Sequence, residues 1–114
     1  MNTSYPQPTV VEAPSGVLDP QDAVSGATVR VTYAMQDTDI IGLAWDNRDD
    51  LVTQQNGNSS GTVDFIVPAS AVNAAMGRTI PVIYAVVRNG APGLSIILDL
   101  TVTTDSAEVK PRIL

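Results

Sequence analysis

Cysteine and histidine are both absent from this chain of 114 residues. A chain without cysteine has no disulfide framework and gives no redox indication of its compartment. Zinc sites of the usual Cys/His kind are excluded, as are catalytic triads and dyads that use histidine as the base. The single lysine, Lys110, lies in the C-terminal tail, which leaves no core lysine to activate a serine and excludes a Lys–Asn isopeptide crosslink. We therefore expect a protein that is not an enzyme and that has no catalytic, cofactor-binding or metal-ligating residues.

Aromatic residues are scarce, at 4% of the chain, and Trp45 is the only tryptophan. We expect Trp45 and Phe65 inside the protein and Tyr5 in a linker. Few side chains then remain for the exposed aromatic platform that glycan-binding proteins commonly present.

Long apolar runs are lacking as well. The longest uncharged ones, residues 80–87 and 94–98, are far shorter than the roughly 20 residues that cross a bilayer, and no secretion signal is visible. The net charge is −6. Because a surface of that sign repels phosphate backbones and anionic lipids, we expect neither nucleic-acid binding nor membrane insertion.

What the chain does contain is a series of strand patterns. Residues 40–45 place Ile41, Leu43 and Trp45 on one face and small residues on the other, which predicts a central strand with Trp45 as the core anchor. The other predicted strands are 9–12 (continuing at 17–18), 27–33, 51–55, 62–67, 80–88 and 94–103, with a short helix at 69–76 and a turn at 89–93. Their inward residues are Val29, Val31, Tyr33, Val63, Phe65, Val67, Ile80, Val82, Tyr84, Val86, Ile96, Leu98, Leu100 and Val102.

Strands that recur every ten to fifteen residues, with little helix, predict an immunoglobulin-like antiparallel β-sandwich of about seven strands with one short helical crossover. The domain is expected to span residues 9–104, with a linker at 1–8 and a linker or the start of a further repeat at 105–114. Prolines interrupt the first strand, which favours a place at a sheet edge. Tyr84 lies where the corner tyrosine of such sandwiches could sit.

Acidic residues flank the Trp45 strand. Asp37 and Asp39 precede it, whereas Asp46, Asp49 and Asp50 follow it. Carboxylates are the ligands that Ca²⁺ needs, but the two groups stand at opposite ends of one strand, roughly 20 Å apart, and cannot form one site. Solvated loop carboxylates are therefore favoured over a metal site, and the same distance argues against a paired-carboxylate glycosidase.

Two smaller sets of residues lie outside these acidic groups. Arg30, Arg78 and Arg88 are dispersed, so we expect them to face water or to pair locally. Ile83 and Val87 lie on the outer face of their strand, where they either form a patch for a neighbour or are covered by the connections of the sheet itself.

Seven short motifs, in this order, resemble the immunoglobulin-like repeats found in tandem along large bacterial surface and adhesin-like proteins. They are Pro-x-Val-Val-Glu-Ala from residue 8, Val-Leu-Asp-Pro from 17, Ser-Gly-Ala-Thr-Val-Arg-Val-Thr-Tyr from 25, Leu-Ala-Trp from 43, Val-Asp-Phe-Ile-Val-Pro from 63, Gly-Arg-Thr-Ile-Pro-Val-Ile-Tyr from 77 and Arg-Asn-Gly from 88. The resemblance implies a stalk module, sometimes accompanied by a ligand-binding tip module, and supplies no catalytic residues.

The function expected from this resemblance is that of a non-catalytic spacer in a cell-surface or secreted protein, with the neighbouring repeats as its partners. The Pro-x-aliphatic pattern at Pro8 returns at Pro111, about one domain length later, as expected of tandem repeats. Two alternatives stay open: a module that binds a host or surface protein or glycan, and a decoration domain of a phage or virion.

Overall fold

The computed structural model describes residues 4–104, which form two packed β-sheets and one short α-helix. The strands of this range are β1 (Ser4–Tyr5), β2 (Thr9–Val10), β3 (Val17–Leu18), β4 (Ala27–Thr32), β5 (Ile40–Trp45), β6 (Gln55–Asn56), β7 (Thr62–Val67), β8 (Arg78–Arg88), β9 (Ala91–Ser95) and β10 (Leu98–Val102). The helix α1 spans Ala69–Ala74, and a 3₁₀ helix spans Pro20–Ala23. The all-β sandwich predicted from the sequence is confirmed, with ten strands in the described range instead of about seven.

The large sheet is organised around β8, a strand of 11 residues. β5 pairs antiparallel with one edge of β8, and β6 pairs with the outer edge of β5. The other edge of β8 is shared, because β9 pairs with residues 85–88 and β10 with residues 78–82. β1 and β3 lie outside β9 and β10, and both pair in parallel, which departs from the fully antiparallel arrangement expected.

The small sheet has the order β2-β4-β7 and is antiparallel throughout. The helix α1 carries the chain from β7 in the small sheet to β8 in the large sheet, which confirms the predicted helical crossover. The chain turns into β8 at Gly77, whose φ of 79° is strained for any residue with a side chain. No helix in residues 4–104 has the length and apolar character needed to span a bilayer.

The core lies between the two sheets and contains most of the inward residues predicted from the alternation, whereas Tyr33 and Leu98, also predicted inward, are only partly buried. Trp45 is 1% exposed, and Ile41 and Leu43 are buried beside it on the same face of β5. The matching buried residues of the other long strands are Val29, Val31, Val63, Phe65, Val67, Ile80, Val82, Tyr84 and Val86. The interpretation of Trp45 as a core anchor is therefore confirmed, and its indole is closed to an external ligand in this structure.

The N-terminal segment packs more closely than a linker would. Tyr5, which the sequence analysis placed in the linker, is buried and belongs to β1. The first predicted strand is divided between the sheets, because Thr9–Val10 pairs with β4 and Val17–Leu18 pairs with β10. Both pieces lie at sheet edges, as the prolines indicated.

The last predicted strand, residues 94–103, is interrupted. Residues 91–93 were expected in the turn but belong to β9, and Ile96, expected in the core, is 56% exposed. The reason lies at Ser95, whose Oγ accepts a hydrogen bond from the backbone N–H of Tyr84 at 3.1 Å. In a regular ladder a backbone carbonyl would accept that bond. The chain bulges there and resumes pairing at β10, whose Leu100 and Val102 are buried as predicted.

The predicted strand at 51–55 was also largely wrong. Only Gln55–Asn56 pairs with a neighbour, the residues Ile40 and Ile41 of β5. Residues 51–54, which we call the strap, join neither sheet, although Leu51 and Val52 pack partly against the core.

Candidate functional site

A buried ion pair lies at one end of the large sheet. Asp39 precedes β5 and Arg88 ends β8, and the antiparallel register of the two strands places them opposite each other. The Arg88 Nε donates to Asp39 Oδ1 at 2.9 Å, and its Nη2 donates to Oδ2 at 2.8 Å. The Asp39 side chain is 0% exposed and that of Arg88 is 30% exposed. The expectation of a solvated loop carboxylate was therefore wrong for Asp39.

Further donors complete the environment of this carboxylate. The Tyr33 hydroxyl donates to Asp39 Oδ2 at 2.8 Å, and the backbone N–H of Gln36 donates to the same oxygen at 3.0 Å. Arg88 also reaches across to the backbone oxygen of Ala34, at 2.9 Å from Nη2. A charge taken out of water is tolerated when it is paired and hydrogen-bonded in this way. Asp39 thus joins the loop between β4 and β5 to the end of β8.

The pKa values of these groups follow from the same contacts. The hydrogen bonds from Arg88 hold the pKa of Asp39 well below its usual value of 3.8, against the opposing effect of burial. The hydrogen bond to Asp39 raises the pKa of Arg88. Burial, and then the hydrogen bond to Asp39, raise the pKa of Tyr33 above its ordinary value of 10. Near neutral pH the cluster is an ionised carboxylate held by a protonated guanidinium and a neutral phenol.

The free energy of unfolding is expected to fall as the pH drops below about 4. Because the pKa of Asp39 is lowered in the folded state, the unfolded chain takes up the proton first. The stabilisation is complete above the unfolded-state pKa, about 4, and is lost as the pH falls from there toward the folded-state pKa. Thermal melts between pH 7 and 2 should show a steeper acid decline for the wild type than for Asp39→Asn, and equal slopes would contradict this account.

Three tyrosines pack beside the ion pair. The ring of Tyr33 meets that of Tyr5 edge-on at a centroid distance of 4.9 Å and stacks on that of Tyr84 at 6.1 Å. Burial raises the pKa of Tyr84 to about 12. The buried Tyr84 hydroxyl has no hydrogen-bond partner among residues 4–104, so the bond that defines a tyrosine corner is missing there and that interpretation was wrong.

The other two arginines named in the sequence analysis also form pairs, as expected. Arg30 of β4 donates to Asp64 of β7 through two bonds of 2.9 and 3.0 Å. Arg78, at the start of β8, pairs with Asp46, directly after β5, at the end of the sheet opposite to Asp39. Both pairs are partly exposed, so water and salt screen them and each is expected to contribute little to stability.

The two acidic groups lie at opposite ends of β5, as predicted: Asp37 and Asp39 precede the strand, and Asp46, Asp49 and Asp50 follow it. In the part of the chain that the structure describes, no group of three or more His, Cys, Asp or Glu side chains is placed to hold a metal ion. The absence of bound calcium stays a prediction.

The outer face of the large sheet carries a shallow groove of about 270 Å³. Its floor includes Gly42, Ala44 and Ala85, and Ile83 lines one side. Gln54 of the strap lies over Gly42, close to the position that a side chain there would occupy. The connections of the protein itself therefore cover part of this face, and Ile83 and Val87 are half-buried.

The Asp39–Arg88 pair was not predicted from the sequence, because it depends on the register between two distant strands. Once 40–45 and 80–88 are accepted as antiparallel neighbours in the observed register, Asp39 falls opposite Arg88. Nothing in the local pattern around either residue sets that register, because 49 positions separate them in sequence.

The comparisons with known proteins bear on the fold. No family model matches the chain, and no curated protein matches it. Among solved structures, the chain resembles a bacterial immunoglobulin-like domain from the ice-binding adhesin of M. primoryensis, with 16% sequence identity and a TM-score of 0.57. The match covers 88% of this chain and 99% of that domain. The chain therefore has the immunoglobulin-like fold that its strand pattern and motifs predicted.

Proposed function

We propose that this domain is a non-catalytic spacer module of a tandem-repeat, adhesin-like protein on a bacterial cell surface. The observation that carries the proposal is the direction of its first and last strands. A module that receives the chain at one end and releases it at the other suits an end-to-end array.

The strand register gives this direction. β1 runs parallel to β9 with Ser4 beside Leu94, and Leu94 in turn pairs with Ala85 of β8. β9 and β10 are both antiparallel to β8, so β1, β9 and β10 all point the same way. β10 ends at Val102, opposite Arg78. Residues 78–85 of β8 span about 23 Å at roughly 3.3 Å per residue. The start of β1 and the end of β10 are therefore separated by about that distance along the sheet, and the two strands run in the same direction.

The charges and the core agree with a structural role. The Asp39 and Asp46 ion pairs join the strands at the two ends of the large sheet, and the net charge of −6 keeps neighbouring rods apart in solution. The large aromatic side chains Trp45, Phe65 and Tyr84 are inside the sandwich, which disfavours the glycan-platform alternative. The adhesin origin of the similar solved domain supports a surface or secreted parent protein.

Small-angle scattering on a protein of two copies in tandem tests the proposal. We expect the maximum dimension to approach twice that of the single domain, because the strands direct the second copy onward from the first. A matched protein with ten Gly/Ser residues between the copies should give a broader distance distribution, since such linkers are flexible coils. Two copies folded back on each other, with a maximum dimension near that of one domain, would overturn the spacer proposal.

A further inference from the structure

The small sheet leaves one strand edge open. β7 pairs with β4 on one side, and no strand in the described range pairs with its other side. In this fold the corresponding sheet usually has a fourth strand beside that position. The sequence pattern predicted a strand at 51–55, but the structure has the irregular strap there.

The hydrogen bonds show which backbone groups of β7 face the open edge. The Tyr33 N–H donates to the Gly61 carbonyl, whereas the Thr28 carbonyl accepts from Val11 on the β2 side of β4. Backbone groups alternate in direction along an antiparallel pair, so the N–H and C=O groups of the odd-numbered residues of β7 bond to β4. The N–H and C=O groups of the even-numbered residues face the open edge; these residues are Thr62, Asp64 and Ile66.

Side chains occupy part of this edge. The Thr62 carbonyl accepts from Asn58 Nδ2 at 3.0 Å, and the Asp64 carbonyl accepts from Gln55 Nε2 at 2.7 Å. Among the residues the structure describes, none bonds to the backbone N–H of Asp64 or to either backbone group of Ile66. Unpaired groups of this kind are what an added strand satisfies.

A groove of about 340 Å³ separates the edge from the strap. Leu51, Val52 and Ile66 give it apolar walls, and Gln55 and Asp64 line it as well. Ile66 is 56% exposed and the Asp64 side chain 37%, so a single extended segment can reach this edge. Asp50 and Asp64 are already paired with Arg48 and Arg30, so the attraction for a basic occupant comes from the net charge of −6.

We propose that the β7 edge binds an extended, basic peptide segment of a partner protein as an added strand of the small sheet. The peptide backbone would bond to Asp64 and Ile66, and its aliphatic side chains would lie against Leu51 and Val52. Gln55 would give up its bond to the Asp64 carbonyl to make room. This site goes beyond the spacer role, because it would let the module hold a partner without an aromatic platform.

The test uses a heptapeptide in which valine and threonine alternate between two terminal lysines, with a twin that has terminal glutamates. Nuclear magnetic resonance titration of the whole chain should shift the amide signals of Asp64 and Ile66, and hydrogen exchange at both should slow at least about tenfold at saturation. The glutamate twin should bind at least about tenfold more weakly. Failure of the lysine peptide to bind at millimolar concentration would overturn the proposal.

Two variants at one exposed position separate strand addition from other modes of binding. Ile66→Pro removes a backbone N–H that does not bond to β4, and proline is tolerated at an open sheet edge, so the variant should fold. It should bind the lysine peptide at least about tenfold more weakly, because one hydrogen bond to the peptide is lost. Ile66→Val keeps the N–H and should bind like the wild type. Equal binding by both variants, or shifts centred on Gly42–Ala44, would contradict the proposal. So would slow amide exchange at Asp64 and Ile66 in the free protein, because the strap would then pair with β7 itself.

Discussion

Replacing Arg88 by methionine is expected to lower the free energy of unfolding by about 3 kcal/mol, the lower end of the range for breaking a buried pair, because Arg88 is itself 30% exposed. The substitution leaves the carboxylate of Asp39, whose side chain is 0% exposed, without the guanidinium that donates two of its hydrogen bonds. Removing one partner of a buried pair costs much more than the pair itself contributes, because an uncompensated charge stays out of water. A domain at the lower end of the usual range of about 5–15 kcal/mol would then retain little stability.

Arg30→Met is the matched control for this experiment. Its pair with Asp64 has the same two-bond geometry, but both side chains are partly exposed, at 46% and 37%. We expect a much smaller loss of stability there, because water and salt screen the pair. Urea unfolding of both variants at pH 7 measures the difference, and equal losses would mean that burial does not set the importance of the Asp39 pair.

Replacing Trp45 by alanine is expected to cost about 3–5 kcal/mol through lost packing and the cavity left behind. The indole is 1% exposed, and its Nε1 has no hydrogen-bond partner in residues 4–104, so no hydrogen bond of the described structure is lost with it. For a domain of this size, such a loss lowers the melting temperature by more than about 12 °C.

Ile40→Ala on the same strand is the control for Trp45. Ile40 points to the opposite face of β5 and is 42% exposed, so its truncation should cost about 1 kcal/mol or less. Thermal melts of the two variants decide the question. A Trp45→Ala protein that melts within a few degrees of the wild type would contradict the interpretation of Trp45 as the core anchor.

The sequence by itself determined which face of each long strand is buried. The alternation at 40–45, 62–67 and 80–88 has a period of two residues, and a strand places every second side chain on the same face whatever its partner is. Ile41, Phe65 and Val82 are therefore buried as predicted. The short helix after Pro68 and the edge position of the proline-interrupted segments are equally local properties of the chain.

The tertiary structure alone decided what lies next to what across the sheets. Asp39 appears as a polar loop residue in the sequence, and its burial follows from a register that brings Arg88 opposite to it. Ile96 continues an apolar alternation, but the Ser95 side chain takes the place of a ladder bond and turns the chain outward. The strap likewise has strand-forming residues and no strand partner. Local patterns report the periodicity of one segment, whereas pairing depends on contacts between segments that lie far apart in the chain.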